Sequence, residues 1–189
     1  MQEIVLIRHG ETEWSLSGQH TGRTDIPLTE NGRSQAELLG TQLADRRFAL
    51  VLTSPLVRAA ETCRLAGLSA QASERPGLME WDYGAYEGRT TLDIRSERPG
   101  WSIWADGVPG GETAADVSKR VDRVLDELRS VQGDAAVVGH GHVLRVLAAR
   151  WLGLGPEAGR FFALDPAAVS VLGYERETAV IRRWNAPVA

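Results

Sequence analysis

Residues 4–7 form an unbroken apolar run of β-branched and Leu side chains that ends in Arg8-His9-Gly10. A short run of this kind predicts a strand covered on both faces. Two similar runs follow. One covers 48–52 and ends in Thr53-Ser54; the other covers 135–138 and ends in Gly139-His140-Gly141. Helical periods lie between them. Ala36, Leu39 and Leu43 follow Thr29-Glu30-Asn31-Gly32 and predict a helix that stops near Arg46 or Arg47. Leu56, Ala59, Ala60 and Cys63 predict another, with Pro55 at its first position. Val117, Val121, Val124, Leu125 and Leu128 mark one face of a helix capped by Thr113 and running to 131. Leu144, Leu147, Ala148 and Trp151 mark a helix over 143–152. Two last strands, 168–174 and 178–184, read as a hairpin around Arg176-Glu177.

The segment 75–111 has a different texture. It holds three of the eight prolines and three of the six tryptophans (Trp81, Trp101 and Trp104), and reads as loops around a short helix near 91–98. Long loops inside a compact domain are usually functional walls or lids. Strand and helix otherwise alternate. That order predicts an α/β fold, a three-layer α/β/α sandwich with a mostly parallel central sheet, spanning 1–189 as one domain. In such sheets ligands bind beyond the carboxyl ends of the strands.

Composition narrows the class of function. The chain has 189 residues, 43% hydrophobic and 24% charged, which are values of a folded globular protein. Its net charge of −4 offers no general attraction to nucleic acid or to anionic lipid. No apolar run is long enough to span a bilayer, and the first residues contain no signal-peptide stretch. Cys63 is the single cysteine, so neither an intramolecular disulfide nor a multi-cysteine zinc site is available. A soluble, cytoplasmic protein in a reducing compartment is expected. Of the 21 basic residues only Lys119 is a lysine. Codon usage accounts for most of that bias, but Arg also offers a planar fork of donors matched to phosphate and carboxylate.

Three strand ends carry polar groups: Arg8-His9 on the first, Ser54 with Arg58 just beyond on the second, and His140 on a later one. In one parallel sheet these ends share a rim. Two arginines and two histidines gathered there suit a phosphoryl group, which carries about two charges and three acceptor oxygens. A histidine can attack phosphorus through one ring nitrogen while a carbonyl holds the other. Taken singly, each of these residues is an ordinary surface or core side chain.

The order of motifs is more specific. Leu6-Ile7-Arg8-His9-Gly10-Glu11-Thr12-Glu13-Trp14 resembles the RHG motif of the histidine phosphatase superfamily, in its phosphoglycerate mutase-like branch. His20 to Gly32, Ser54 to Thr62, Leu78-Met79-Glu80 with Tyr83-Gly84 and Glu87-Gly88, Gly110 to Thr113, and Val138 to Gly141 are similar to the later motifs of that family, in order. The resemblance implies that His9 forms a phosphohistidine and that Arg8, Arg58 and His140 hold the phosphoryl oxygens. It implies that Glu80 protonates the leaving oxygen and then activates water, a role worth about 10² to 10⁴-fold. Flanking positive charges should lower the pKa of His9. Ser15, Thr21, Gly22, Gly141 and His142 are the expected substrate-binding positions. Ser15 departs from the Asn that many relatives carry there. Glu11 and Glu87 are expected to orient loops. No metal and no cofactor are expected, because the arginines neutralise charge.

The implied activity is hydrolysis of small phosphorylated metabolites, closest in look to the acid phosphatase and sugar-bisphosphatase members. Sixty residues separate Glu80 from His140, and little chain follows the last strand, which gives less cover over a phosphohistidine than a mutase needs. Mutase-type phosphoryl transfer is the alternative, and a non-catalytic phospholigand-binding protein the third reading. Arg89, Arg95 and Arg98 are candidates for a second phosphate or a carboxylate, with solvated surface charge as the competing reading. Some relatives dimerise through sheet edges, which makes a homodimer the one assembly the resemblance suggests; neither nucleic acid nor membrane is an expected partner.

Overall fold

The computed structural model describes residues 2–188. Six strands form one sheet in the order β3-β2-β4-β1-β5-β6: β1 (Ile4–Arg8), β2 (Leu50–Thr53), β3 (Ala72–Glu74), β4 (Ala135–Gly139), β5 (Val169–Glu175) and β6 (Thr178–Ala186). The first four run parallel to one another. The closing hairpin adds β5 antiparallel to β1 and β6 antiparallel to β5.

The apolar run of β1 explains itself in the packing. Ile4 and Leu6 join one core with α6 (Ala114–Ser130) and α7 (Gly141–Trp151), through Val117, Val121, Leu125, Leu144 and Leu147. Val5 and Ile7 face the other core, with Leu39 and Leu43 of α2 (Glu30–Leu43) and Ala59 and Cys63 of α3 (Val57–Leu65). Side chains alternate across a strand, so burial on both faces demands a run with no polar interruption. This is the expected α/β/α sandwich with a mostly parallel sheet.

Local signals set most helix ends. Thr29 and Thr113 accept hydrogen bonds from the Gly32 and Asp116 amides and cap α2 and α6. Thr90 caps α4 (Thr91–Glu97) in the same way. Four elements differ from expectation. Helix α3 starts at Val57, not at Pro55, because Ser54 Oγ accepts the Leu56 amide at 3.3 Å and forms a turn first. The five-residue α1 (Glu13–Ser17) has no apolar period; a Thr12–Ser15 capping box carries it. β3 is three residues on the sheet edge, paired with β2 through Ala72 and Val51. A four-residue α5 (Ile103–Asp106) lies within the 75–111 segment.

Register positions the site. Arg8 pairs with Gly139 and Thr53 with Val138, so the next residues, His9, His140 and Ser54, leave the sheet together. The His9 amide donates to the Gly139 carbonyl and the Ser54 amide to the Val138 carbonyl, each at 2.9 Å.

Candidate active site

His9 is 4% exposed and His140 fully buried, with their ring centroids 5.1 Å apart. Nδ1 of His9 lies 2.7 Å from the Gly10 carbonyl oxygen. A carbonyl only accepts, so Nδ1 carries the proton and Nε2 keeps its lone pair. Burial, then Arg58, then Arg8 holds the His9 imidazole well below its ordinary pKa. The sequence reading named the flanking charges as the cause; they contribute, but desolvation comes first. Gly10 owes its identity to the backbone of Gly32, which occupies the space a side chain would need.

Beside His9 is a cavity of about 190 Å³. Arg8, His9, Ser15, Thr21, Glu80, Gly141 and His142 line it, together with Tyr83 and Arg145. Arg58, His140 and Gly22 stand behind that wall. Arg58 is fully buried and donates from Nη1 to the Thr24 carbonyl at 3.1 Å, and from Nη2 to the carbonyls of Thr21 at 3.1 Å and Gly22 at 2.9 Å. Glu87 takes the opposite side of the same loop, accepting the amides of Gly22 at 2.7 Å and Thr24 at 3.0 Å. Residues 21–24 are thus clamped between a cation on their carbonyls and an anion on their amides. A methyl group at Gly22 would come within 2.5 Å of the Trp81 carbonyl and 2.7 Å of Glu87 Oε2.

Glu80 is 4% exposed and held by three backbone amides. Its Oε1 accepts from Trp81 and Val143 and its Oε2 from His142, all at 2.9 Å. Two of these amides belong to the first turn of α7, whose positive end suits a carboxylate. Arg120 fixes the same strand of loop from behind, donating to the carbonyls of Gly77, Met79 and Glu80 and pairing with Glu112. Oε2 accepts one hydrogen bond and Oε1 two, which leaves Oε2 the freer oxygen.

Arg8 donates from Nη1 to the Leu164 carbonyl, and its buried Nε has no partner among the described residues. Ser15 spends its hydroxyl on capping: it accepts the Thr12 amide at 2.9 Å and donates to the Thr12 carbonyl at 2.8 Å. His142 pairs through Nδ1 with the Tyr83 hydroxyl at 2.7 Å. Glu11 accepts from Thr29 Oγ1 at 2.7 Å and Asn31 Nδ2 at 3.0 Å, tying the loop after His9 to the start of α2.

Arg89, Arg95 and Arg98 do not line the cavity. Arg89 pairs with Glu97 at 2.7 Å, Arg95 donates to the Trp101 carbonyl at 2.8 Å, and Arg98 reaches the Tyr86 hydroxyl at 3.2 Å. Trp101 is buried in the 75–111 segment and donates to the Gly107 carbonyl, while Trp104 packs on the ring of Trp81. Among the lining residues, His20 and Tyr83 lie in the motifs but were given no site role by the sequence reading, and Arg145 was not singled out at all. Arg145 follows His142 by three positions on α7, and this i, i+3 spacing was the available signal.

The profile of the histidine phosphatase superfamily (branch 1) matches residues 4–187. The chain is 42% identical over 188 residues to an acid phosphatase of Mycobacterium tuberculosis, covering 94% of this chain and 91% of that one. It is 35% identical over 192 residues to the adenosylcobalamin/alpha-ribazole phosphatase of Escherichia coli, covering 96% and 95%. The solved structure of an open reading frame product of M. tuberculosis superposes with a TM-score of 0.92 at 38% identity, covering 100% of this chain and 99% of that one. With the motif order, the paired histidines at the strand ends and these likenesses in place, the chain belongs to the histidine phosphatase superfamily, branch 1.

Proposed function

We propose that the protein hydrolyses phosphomonoesters of small metabolites through a phosphohistidine on His9. The observation that carries this is the His9 Nδ1 contact with the Gly10 carbonyl, which leaves Nε2 as the nucleophile beside a cavity lined by Arg8 and Glu80. Relatives named as phosphatases support the reaction class.

Nε2 of His9 forms a bond to phosphorus as the bond from phosphorus to the ester oxygen breaks. Glu80 passes a proton from Oε2 to that leaving oxygen. It then takes a proton from water, whose oxygen attacks phosphorus and breaks the N–P bond, releasing inorganic phosphate. Arg8 and Arg58 neutralise the phosphoryl oxygens, with Arg58 exchanging a carbonyl of the 21–24 loop for a stronger acceptor. His140 offers its Nε2–H by exchanging Ser54 Oγ for a phosphoryl oxygen, and Gly141 and the His142 backbone form the cavity floor. Ser15 and Thr21 line the wall, and Gly22 shapes the loop behind it. The charges that magnesium supplies in other phosphoryl-transfer enzymes come here from arginine. A single cysteine and a metabolite substrate accord with a cytoplasmic setting.

The test is turnover of p-nitrophenyl phosphate in the presence of a chelator, with acid-quenched trapping of a ³²P-labelled phosphoenzyme. Wild type should turn over and carry the label; His9→Ala should do neither. Equal rates in the two proteins would refute the reading. Release of phosphate from 3-phosphoglycerate should outrun formation of its 2-isomer in the presence of 2,3-bisphosphoglycerate; the reverse order would assign the chain to the mutases.

A further inference from the structure

The arginines of this chain divide by environment. Arg33, Arg75, Arg89 and Arg150 are each bonded to a carboxylate at 2.9 Å or less. Arg8, Arg58 and Arg145 have no carboxylate within 4.0 Å among the described residues, and burial is the first influence on each, lowering its pKa. Arg8 and Arg58 serve the phosphoryl group. Arg145 is left over.

Its geometry is built rather than incidental. The guanidinium lies 4.7 Å from the ring centroid of Trp104, donates from Nε to the Gly159 carbonyl at 3.0 Å and from Nη2 to the Arg160 carbonyl at 3.4 Å. One face and one edge are therefore fixed. Nη1 has no acceptor among the described residues, and the side chain lines the same cavity as His9, Arg8 and His142. A desolvated cation without a counter-ion is unfavourable until an anion arrives. A cavity of about 390 Å³ elsewhere on the surface shows the contrast: three of the four arginines on its wall, Arg23, Arg75 and Arg120, are ion-paired, and Arg123 forms no ion pair among the described residues.

We propose that Arg145 is a specificity residue that binds a second anionic group on the leaving alcohol. The preferred substrates are then phosphomonoesters whose alcohol also carries a carboxylate or another phosphate. The inference rests on the phosphomonoesterase reading of the same site. It moves the second-anion role from the loop arginines, none of which lines the cavity, to α7.

The experiment measures kcat/KM on matched pairs: 3-phosphoglycerate against glycerol 3-phosphate, and fructose 1,6-bisphosphate against fructose 6-phosphate. Wild type should favour the extra anion in at least one pair, and the responding pair tells carboxylate from phosphate. Arg145→Met should reduce that preference about 10- to 100-fold, the worth of one charge-assisted hydrogen bond. Arg145→Lys should restore part of it. A ratio taken within one protein cancels any loss of folded fraction. No preference in wild type, or a preference that survives Arg145→Met within about twofold, would overturn the inference while wild-type turnover of p-nitrophenyl phosphate left the activity standing. Absence of that turnover would remove both.

Discussion

Nε of Arg58 donates to Nδ1 of His140 at 3.0 Å, and this bond decides where His140 keeps its proton. Arginine has no acceptor, so Nδ1 must be bare and the proton must sit on Nε2, 2.7 Å from Ser54 Oγ. One buried side chain thus sets the tautomer of a histidine, holds three carbonyls of the 21–24 loop and lowers the pKa of His9.

A lysine cannot do all of this, because an ammonium group is a point charge without the planar fork. Arg58→Lys should lower kcat/KM by about 10² to 10³-fold, the range for removing one preorganised donor. The buried acceptors left unpaired should lower stability by about 3 kcal/mol in urea unfolding. Activity within threefold of wild type would show that Arg58 is not needed at the reacting group.

Glu80 should matter in proportion to the basicity of the leaving group. Glu80→Gln keeps the size of the side chain but has no proton to deliver. Hydrolysis of an alkyl phosphate should fall about 10² to 10⁴-fold. Phosphorylation of His9 by p-nitrophenyl phosphate, whose leaving group needs little protonation, should fall much less in a single turnover. Equal losses on the two substrates would take the acid role away from Glu80.

All four histidines lie below the ordinary imidazole range, with burial the first cause in each: His20 at about 4, and His9, His140 and His142 well down. The folded chain therefore binds fewer of these protons than the unfolded one. Their stability contribution is whole above pH 6.5 and is lost as pH falls, for His20 between 6.5 and about 4. That one group accounts for about 3 kcal/mol. The urea midpoint should drop steadily from pH 7 to pH 5, with proton uptake on unfolding. A flat midpoint across that window would mean that the histidines are not buried neutral. The same depression keeps His9 unprotonated in mild acid, so kcat/KM should show no acid limb from His9 near its ordinary value.

Much of this protein is written locally. The run at Ile4 to Ile7, the caps at Thr29 and Thr113 and the helical period of Val117 to Leu128 depend on neighbours within a few residues, and the structure keeps them. The ordered motifs from Arg8-His9 to His140 likewise led to the family without coordinates. Other features depend on contacts that composition does not carry. β3 is a strand only because β2 offers an edge to three residues without pattern. The hairpin strands were legible, but their antiparallel place beside β1 was not. The arginines make the point most sharply. Twenty share one side-chain chemistry, and the sequence pointed to Arg8 and Arg58 by their motifs. It offered Arg89, Arg95 and Arg98 as candidates beside the reading of solvated surface charge, and the fold gives them to Glu97, the Trp101 carbonyl and Tyr86. It passed over Arg145, which the fold leaves desolvated and without a carboxylate at the cavity wall. Propensity and periodicity are short-range and survive in the sequence; whether a charge meets a partner or is stripped of water is a long-range property, and only tertiary structure decides it.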